Sequence, residues 1–159
     1  MEQLEERLSE KWKILNKRYE EYARAAGLTT MSLTVLEIIY ENQDKCTQKL
    51  ICEQSHFTKQ SVNMIIKSFW EQGYVELVEV KTDRRNKQVK LSKSGRQYAD
   101  KIIGCLWQAD SNVIEKLTVQ QREALIVYAD LYEECILNAT ASVTDILHKK
   151  TTGGGGVDK

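Results

Sequence analysis

Between Thr58 and Gly73 the run TKQSVNMIIKSFWEQG spaces Gln60, Asn63, Met64 and Lys67 so that they share one face of a helix. Amide side chains pair bidentately with adenine and an ammonium suits guanine or phosphate, so this row carries the chemistry of reading base edges in a DNA major groove. Thr58, Lys59 and Ser61 complete the contact set at the helix start. Val62, Ile65, Ile66 and Phe69 fall at i, i+3, i+4 and i+7 and form the apolar face that anchors the helix. Thr58 is placed to cap the first turn, and Gly73 supplies the backbone freedom that a helix C-terminus commonly uses. Most surface helices have a polar face, so the flanking elements decide what this one is for.

Upstream, TQKLICEQ (Thr47 to Gln54) reads as a short helix with Thr47 as N-cap and Leu50, Ile51 and Gln54 spaced for a packed face. Ser55, His56 and Phe57 leave room only for a tight turn, so the two helices form a helix-turn-helix with the second as reader. Downstream, YVELVEV (Tyr74 to Val80) alternates apolar and acidic residues with period 2, the pattern of a half-buried strand. A turn of KTDRRNK follows, and QVKLS resumes the alternation. The expected β-hairpin therefore carries Lys81, Arg84, Arg85 and Lys87 at its tip. A helix-turn-helix followed by a basic hairpin is a winged helix.

The run from Thr47 to Ile102 resembles the DNA-binding core of the MarR family of bacterial transcription regulators. The residues that carry the resemblance are the TKQSV helix start, the EQGYVE exit into the strand, the DRR wing tip and the KLSKSG entry into the next helix. The family's wing usually holds two Asp-x-Arg-type pairs. Here the second is present as Asp83 and Arg85, whereas Val80 and Thr82 occupy the positions of the first. A weaker likeness continues through the flanking helices to about residue 147. It implies a homodimer that binds a palindromic duplex, as a repressor released by a small aromatic effector. It also implies a pocket between the winged helix and the dimer helices, for which Trp12, Tyr19, Tyr40, Tyr98 and Trp107 are the candidates. Operator sequence, effector identity and regulated genes are not encoded in any residue pattern here.

The whole chain of 159 residues has 23 Lys and Arg against 23 Asp and Glu, a net charge of zero. The distribution matters more than the sum. Thr58 to Lys101 holds 10 basic and 5 acidic residues, a local +5, and the remainder holds 13 and 18, or −5. That asymmetry places a positive footprint on the reader, the wing and the helix beyond, as a duplex partner requires. No apolar run approaches the ~20 residues of a membrane span and no signal segment opens the chain, so the expected location is the cytoplasm.

Long helices are expected at both ends. The first runs from about Glu2 to Ala26, with Leu8, Trp12, Leu15, Tyr19 and Tyr22 in a heptad-like stripe, and the next from Thr29 or Thr30 to about Asn42 with Leu33, Leu36, Ile39 and Tyr40 for the core. Ser92 or Ser94 caps a helix from about Gly95 to Lys116, with Tyr98, Ile102, Cys105 and Ala109 in one row and Ile103, Leu106 and Val113 beside it. Thr118 and Gln121 are spaced as a capping box for the last helix, where Leu125, Tyr128, Tyr132, Cys135, Ala139, Ser142 and Ile146 step by 3 and 4. The expected organisation is mainly α with a small β-hairpin wing. Residues 1–27 and 95–148 form dimerisation helices, 29–93 the winged helix-turn-helix, and 151–159 (TTGGGGVDK) a flexible tail.

Enzymatic chemistry finds little support: His56 and His148 have no partner at a metal or nucleophile spacing, and no glycine-rich phosphate loop occurs. No cofactor and no metal are expected. Cys46, Cys52, Cys105 and Cys135 show no CxxC spacing, and Cys105 and Cys135 fall on the apolar rows of their helices. Family members that sense oxidants through a first-helix cysteine have no counterpart here, because this first helix contains none. Cys46 is the remaining candidate for a redox-sensing thiol, in a loop beside Lys45 and Lys49. Two rival readings thus accompany the DNA regulator: a thiol-based redox-sensing regulator, and a winged-helix protein-interaction module whose basic stretch is only a solvated face.

Overall fold

The computed structural model describes residues 2–80 and 83–152, with side chains described for residues 3–79 and 87–147. The first helix, α1 (Glu2–Ala25), stops where Gly27 adopts a φ of +75°, a conformation that glycine takes without steric cost. Local hydroxyls then set the next starts. Thr29 accepts from the Ser32 N–H at 3.1 Å ahead of α2 (Thr30–Glu41). Thr47 accepts from Leu50 at 3.1 Å ahead of α3 (Gln48–Ser55), and Thr58 from Ser61 at 3.2 Å ahead of α4 (Lys59–Glu71). Each satisfies a backbone N–H that the first helical turn leaves without a partner.

Between α3 and α4 the chain turns through His56 at φ +57°, an unusual left-handed position for a residue with a Cβ. After α4, Gly73 at φ +73° releases the chain into β1 (Val75–Val80), which pairs antiparallel with β2 (Asp83–Leu91). The register sets Val75 opposite Leu91 and Leu77 opposite Val89, and it slips between Glu79 and Val80. Thr47 forms an isolated bridge to Gln88, which ties the loop before α3 to the hairpin. The hairpin leads into α5 (Lys93–Lys116), and α6 (Val119–Thr152) follows.

The chain divides into two units, Met1–Gln108 and Ala109–Lys159. The core of the first gathers Ala23 from α1, Leu33, Val35, Leu36 and Ile39 from α2, and Ile51 from α3. Val62, Ile66 and Phe69 of α4, Cys46 before α3, Val75 and Val89 at the hairpin root, and Ala99 and Ile103 of α5 belong to it as well. The reader helix is thus fastened by an apolar stripe, as its 3.6-residue period requires. Two tyrosines add polar ties: Tyr22 donates to the Ile102 carbonyl at 2.6 Å, and Tyr98 donates to that of Ala26 at 2.7 Å. In the second unit, the Thr118 N–H donates to Gln121 Oε1 at 2.9 Å and the Gln121 N–H returns a bond to Thr118 Oγ1 at 3.2 Å. That reciprocal pair is the expected capping box.

Several expectations change in detail. Gln54, assigned to the packed face of α3, is exposed and accepts from Asn42 Nδ2 at 3.1 Å. β2 begins at Asp83, inside the stretch expected to be turn, because the ladder continues past Gln88. The strand β1 is not half-buried along its length: Val75 lies in the core, but Leu77 and Val78 are exposed as the hairpin leaves the body. In α5 the buried row is Gly95, Ala99 and Ile103, and Cys105, Ala109 and Val113 are exposed. Cys135 is likewise exposed in this single chain, as are Leu125, Tyr132, Ala139, Ser142 and Ile146 around it. The tail 153–159 and the wing-tip residues 81–82 lie outside the described residues, as do the side chains of Arg84, Arg85 and His148.

Candidate nucleic-acid interface

The geometry of α4 follows from its two faces. Val62, Ile66 and Phe69 are buried, Ile65 is partly so, and Gln60, Asn63, Met64 and Lys67 are exposed on the far side, as their spacing predicts. Lys59 is exposed in the first turn, whereas the hydroxyls of Thr58 and Ser61 lie 2.9 Å apart and are occupied with the cap. Lys67 Nζ sits 3.7 Å from Glu71 Oε1 with both side chains largely exposed. Such a pair contributes at most about 1 kcal/mol, so the ammonium stays available to a stronger anion.

Two structures set where this face points. From α3, Gln48 Nε2 donates to the Lys59 carbonyl at 3.3 Å, which pins the first residue of the reader. At the other end, Ser92 Oγ and Ser94 Oγ donate to the Gly73 carbonyl at 2.6 and 3.0 Å, and the Ser92 N–H donates to the Tyr74 carbonyl at 2.9 Å. Ser92 also caps α5 by accepting from the Gly95 N–H at 3.0 Å. The EQGYVE and KLSKSG segments are therefore two halves of one clasp at the base of the wing. Stacking of Tyr74 on Tyr98, with centroids 4.4 Å apart and planes within 9°, closes it.

On the wing, Glu79 faces Lys87 and Glu76 faces Lys90 across the strands, so each of these two lysines has a carboxylate opposite. Lys81 lies outside the described residues, and Arg84 and Arg85 are placed only as backbone of β2. The Asp83–Arg85 brace thus stays an expectation. His56 is exposed in the helix-turn-helix turn.

The five aromatic residues expected to line a pocket fall into different settings. Tyr40 and Trp107 meet edge to face at 5.2 Å, Arg96 lies 4.5 Å over the Tyr40 ring, and Trp107 Nε1 donates to Glu37 at 3.1 Å. Tyr40 donates to Asp100 Oδ1 at 2.9 Å, and the hydrogen bond to that carboxylate, ahead of burial, pushes the phenol pKa up. Tyr98 is committed to its stack and its Ala26 bond. Tyr19 packs against the core, and Trp12 is exposed on α1. An open depression of about 170 Å³ is lined by Gln43, Asp44, Lys90, Leu91 and Arg96, none of them one of the five.

Cys46 is the clear correction. Its side chain is 0% exposed, and burial alone pushes the thiol up to about 12. The Cys46 carbonyl accepts from the Val89 N–H at 2.9 Å, which draws this loop inward rather than leaving it beside Lys45 and Lys49 in solvent. A neutral, enclosed thiol packs as a small apolar core group, and it lacks the exposure and thiolate character that the expected loop position offered. Among the described residues no cluster of three or more His, Cys, Asp or Glu could hold a metal, and no helix is long and apolar enough to cross a membrane.

The helix-turn-helix, its exit through Gly73 and the first strand of the wing lie within residues 26–86, which match the MarR family model. Over that segment this winged helix-turn-helix is similar to the MarR family. The chain is 26% identical over 92 residues to the uncharacterized HTH-type transcriptional regulator YwhA of Bacillus subtilis, a match that spans 58% of this chain and 66% of that protein. Its fold is shared with NMB1585, a MarR family regulator from Neisseria meningitidis, at a TM-score of 0.68 and 22% identity, over 89% of this chain and 99% of that one. S. aureus MepR, solved as a DNA complex, superposes at a TM-score of 0.60 and 15% identity over 89% of this chain and 96% of its own.

Three contributors were not singled out from the sequence. Gln48, Gln88 and Arg96 each act through a partner distant along the chain. The period-2 pattern of QVKLS hinted only that Gln88 would lie on a strand.

Proposed function

We propose that this protein is a sequence-specific DNA-binding transcriptional regulator that acts as a homodimeric repressor on a palindromic operator. One observation carries the reading: α4 presents Gln60, Asn63 and Lys67 to solvent while Val62, Ile66 and Phe69 lock its other side into the core. A helix so held offers amide and cationic groups at the right pitch for a major groove, and the MepR relative is solved on DNA. The basic residues of the wing add phosphate or minor-groove contacts. Exposed Leu4, Leu8, Trp12 and Leu15 on α1, and Leu125, Leu131 and Ile146 on α6, supply apolar faces that a second copy covers.

A salt titration tests the central statement. Neutralised phosphates release counterions, so affinity for a selected duplex falls steeply as salt rises. Feeble binding without sequence preference, on random and selected duplexes alike, identifies a protein-interaction module instead.

A further inference from the structure

The segment 44–48 touches both elements that the proposed function places on DNA. On one side, Thr47 bridges Gln88 of β2, the Val89 N–H donates to the Cys46 carbonyl at 2.9 Å, and Gln88 Nε2 donates to the Asp44 carbonyl. On the other side, Thr47 caps α3, and the next residue, Gln48, donates to the Lys59 carbonyl at the first residue of the reader. Five consecutive residues thus join the root of the wing to the start of α4. We infer that Gln88 is a positioning residue which, through this segment, sets the direction of the wing relative to the reader helix, and that Gln48 sets the same joint from the reader's side. The inference rests on the DNA-binding reading given above.

The physical argument concerns leverage. Leu77 and Val78 are exposed, so the wing beyond its root has little core contact to hold it. Val75 and Val89 anchor the root through dispersion, which is tolerant of small rotations. Hydrogen bonds are directional, and the side-chain bond from Gln88 fixes the hairpin about an axis that those apolar contacts leave soft. Neither glutamine needs to touch DNA for this role. Losing either one costs wing placement rather than phosphate contacts.

The experiment uses the full chain and a duplex selected by it from random sequence. Gln88→Met keeps the length of the side chain and removes the donor, and Gln88→Glu replaces the donor with a carboxylate facing the Asp44 carbonyl. Hydroxyl-radical footprints report the sugars flanking the major-groove half-site and those of the adjacent minor groove separately. The expected result is loss of protection in the adjacent minor groove with the half-site protection retained, and an affinity loss of roughly 2- to 10-fold for Gln88→Met. Gln48→Met combined with Gln88→Met is expected to cost less than the sum of the two in free energy, because both act on one joint. A merely structural role lowers all protections in parallel and follows the melting temperature, and that outcome overturns the inference, as does unchanged minor-groove protection. A wild-type chain that selects no duplex at all removes the DNA-binding reading, and this inference with it.

Discussion

Gly95, in the first turn of α5, lies so close to the Tyr74 backbone that a Cβ built on it would stand 1.8 Å from the carbonyl oxygen. The oxygen is held in place, since it accepts from the Ser92 N–H at 2.9 Å. The base of the wing and the start of α5 can meet only if this residue has no side chain.

Gly95→Ala is therefore expected to destabilise the fold by about 2 kcal/mol or more, because backbone has to move to make room. Gly104, in the same helix, has nothing within 4 Å of a built Cβ. Gly104→Ala should stabilise by roughly 0.5–1 kcal/mol through helix propensity alone. Denaturant melts of both variants check the pair. Equal effects of the same sign would show that the clasp yields more readily than its geometry implies.

The caps at Thr29, Thr47, Thr58 and Thr118 were legible because each acts within three residues of itself. The apolar stripe of α4 was legible for a related reason, since a helix converts spacing directly into a face. Cys46 was not. Its sequence neighbours Lys45 and Lys49 suggested an electropositive loop, but its fate depends on Val89, whose N–H binds its carbonyl from another strand. The Gln88–Asp44 link spans 44 residues and the Tyr40–Asp100 bond 60, so no local pattern announces either. The exposure of β1 beyond Val75 was hidden as well, because alternation tells which residues share a face but not whether anything covers it.

Thiol chemistry should follow burial. Cys105 and Cys46 are expected to differ widely in labelling by a soluble thiol reagent, with Cys105 fast and Cys46 protected until the protein unfolds. Peroxide should leave duplex affinity unchanged. The folded Cys46 thiol lies at about 12 against an ordinary 9.0, so the native state holds this proton more tightly than the unfolded one. Its contribution to stability is complete below pH 9 and is lost as pH rises towards 12. Alkaline melts should therefore fall off less steeply in Cys46→Ala than in the parent, after allowance for the cavity. Rapid Cys46 labelling in the native state would contradict the enclosed thiol.

Assembly gives a third outcome. Leu4, Leu8, Trp12 and Leu15 on α1 are exposed large apolar groups, as are Leu125, Leu131 and Ile146 on α6. Deleting residues 1–22 is expected to yield aggregates or a weakly associating species, while the intact chain sediments as a dimer. Cys135 lies on the same α6 row as Leu125, Tyr132 and Ile146, so its labelling should slow as concentration rises through the dimerisation range. A clean monomer at tens of micromolar, with Cys135 reacting freely, would discard the dimer.

The last prediction separates reader from wing. Gln60 and Asn63 stand one turn apart on the exposed face of α4, with Lys67 continuing the row, so the half-site should contain A·T pairs beneath this helix. Asn63→Ala is expected to cost about 1–3 kcal/mol on the preferred site and to relax the preference at that position. Arg85 belongs to the basic wing, and its contacts should be with phosphate or with the narrow minor groove of A·T-rich sequence. Arg85→Ala should then weaken binding across many sequences and flatten the salt dependence by roughly one counterion. The two losses have different physical signatures. Removing an amide that reads a base leaves the number of neutralised phosphates unchanged, so the Asn63→Ala salt slope should match the parent's. Selection of bound sites from random duplexes, repeated at two salt concentrations with each variant, reads both signatures at once. A changed site preference in Arg85→Ala, with uniform loss and a flattened slope in Asn63→Ala, would reverse the assignment of the two elements.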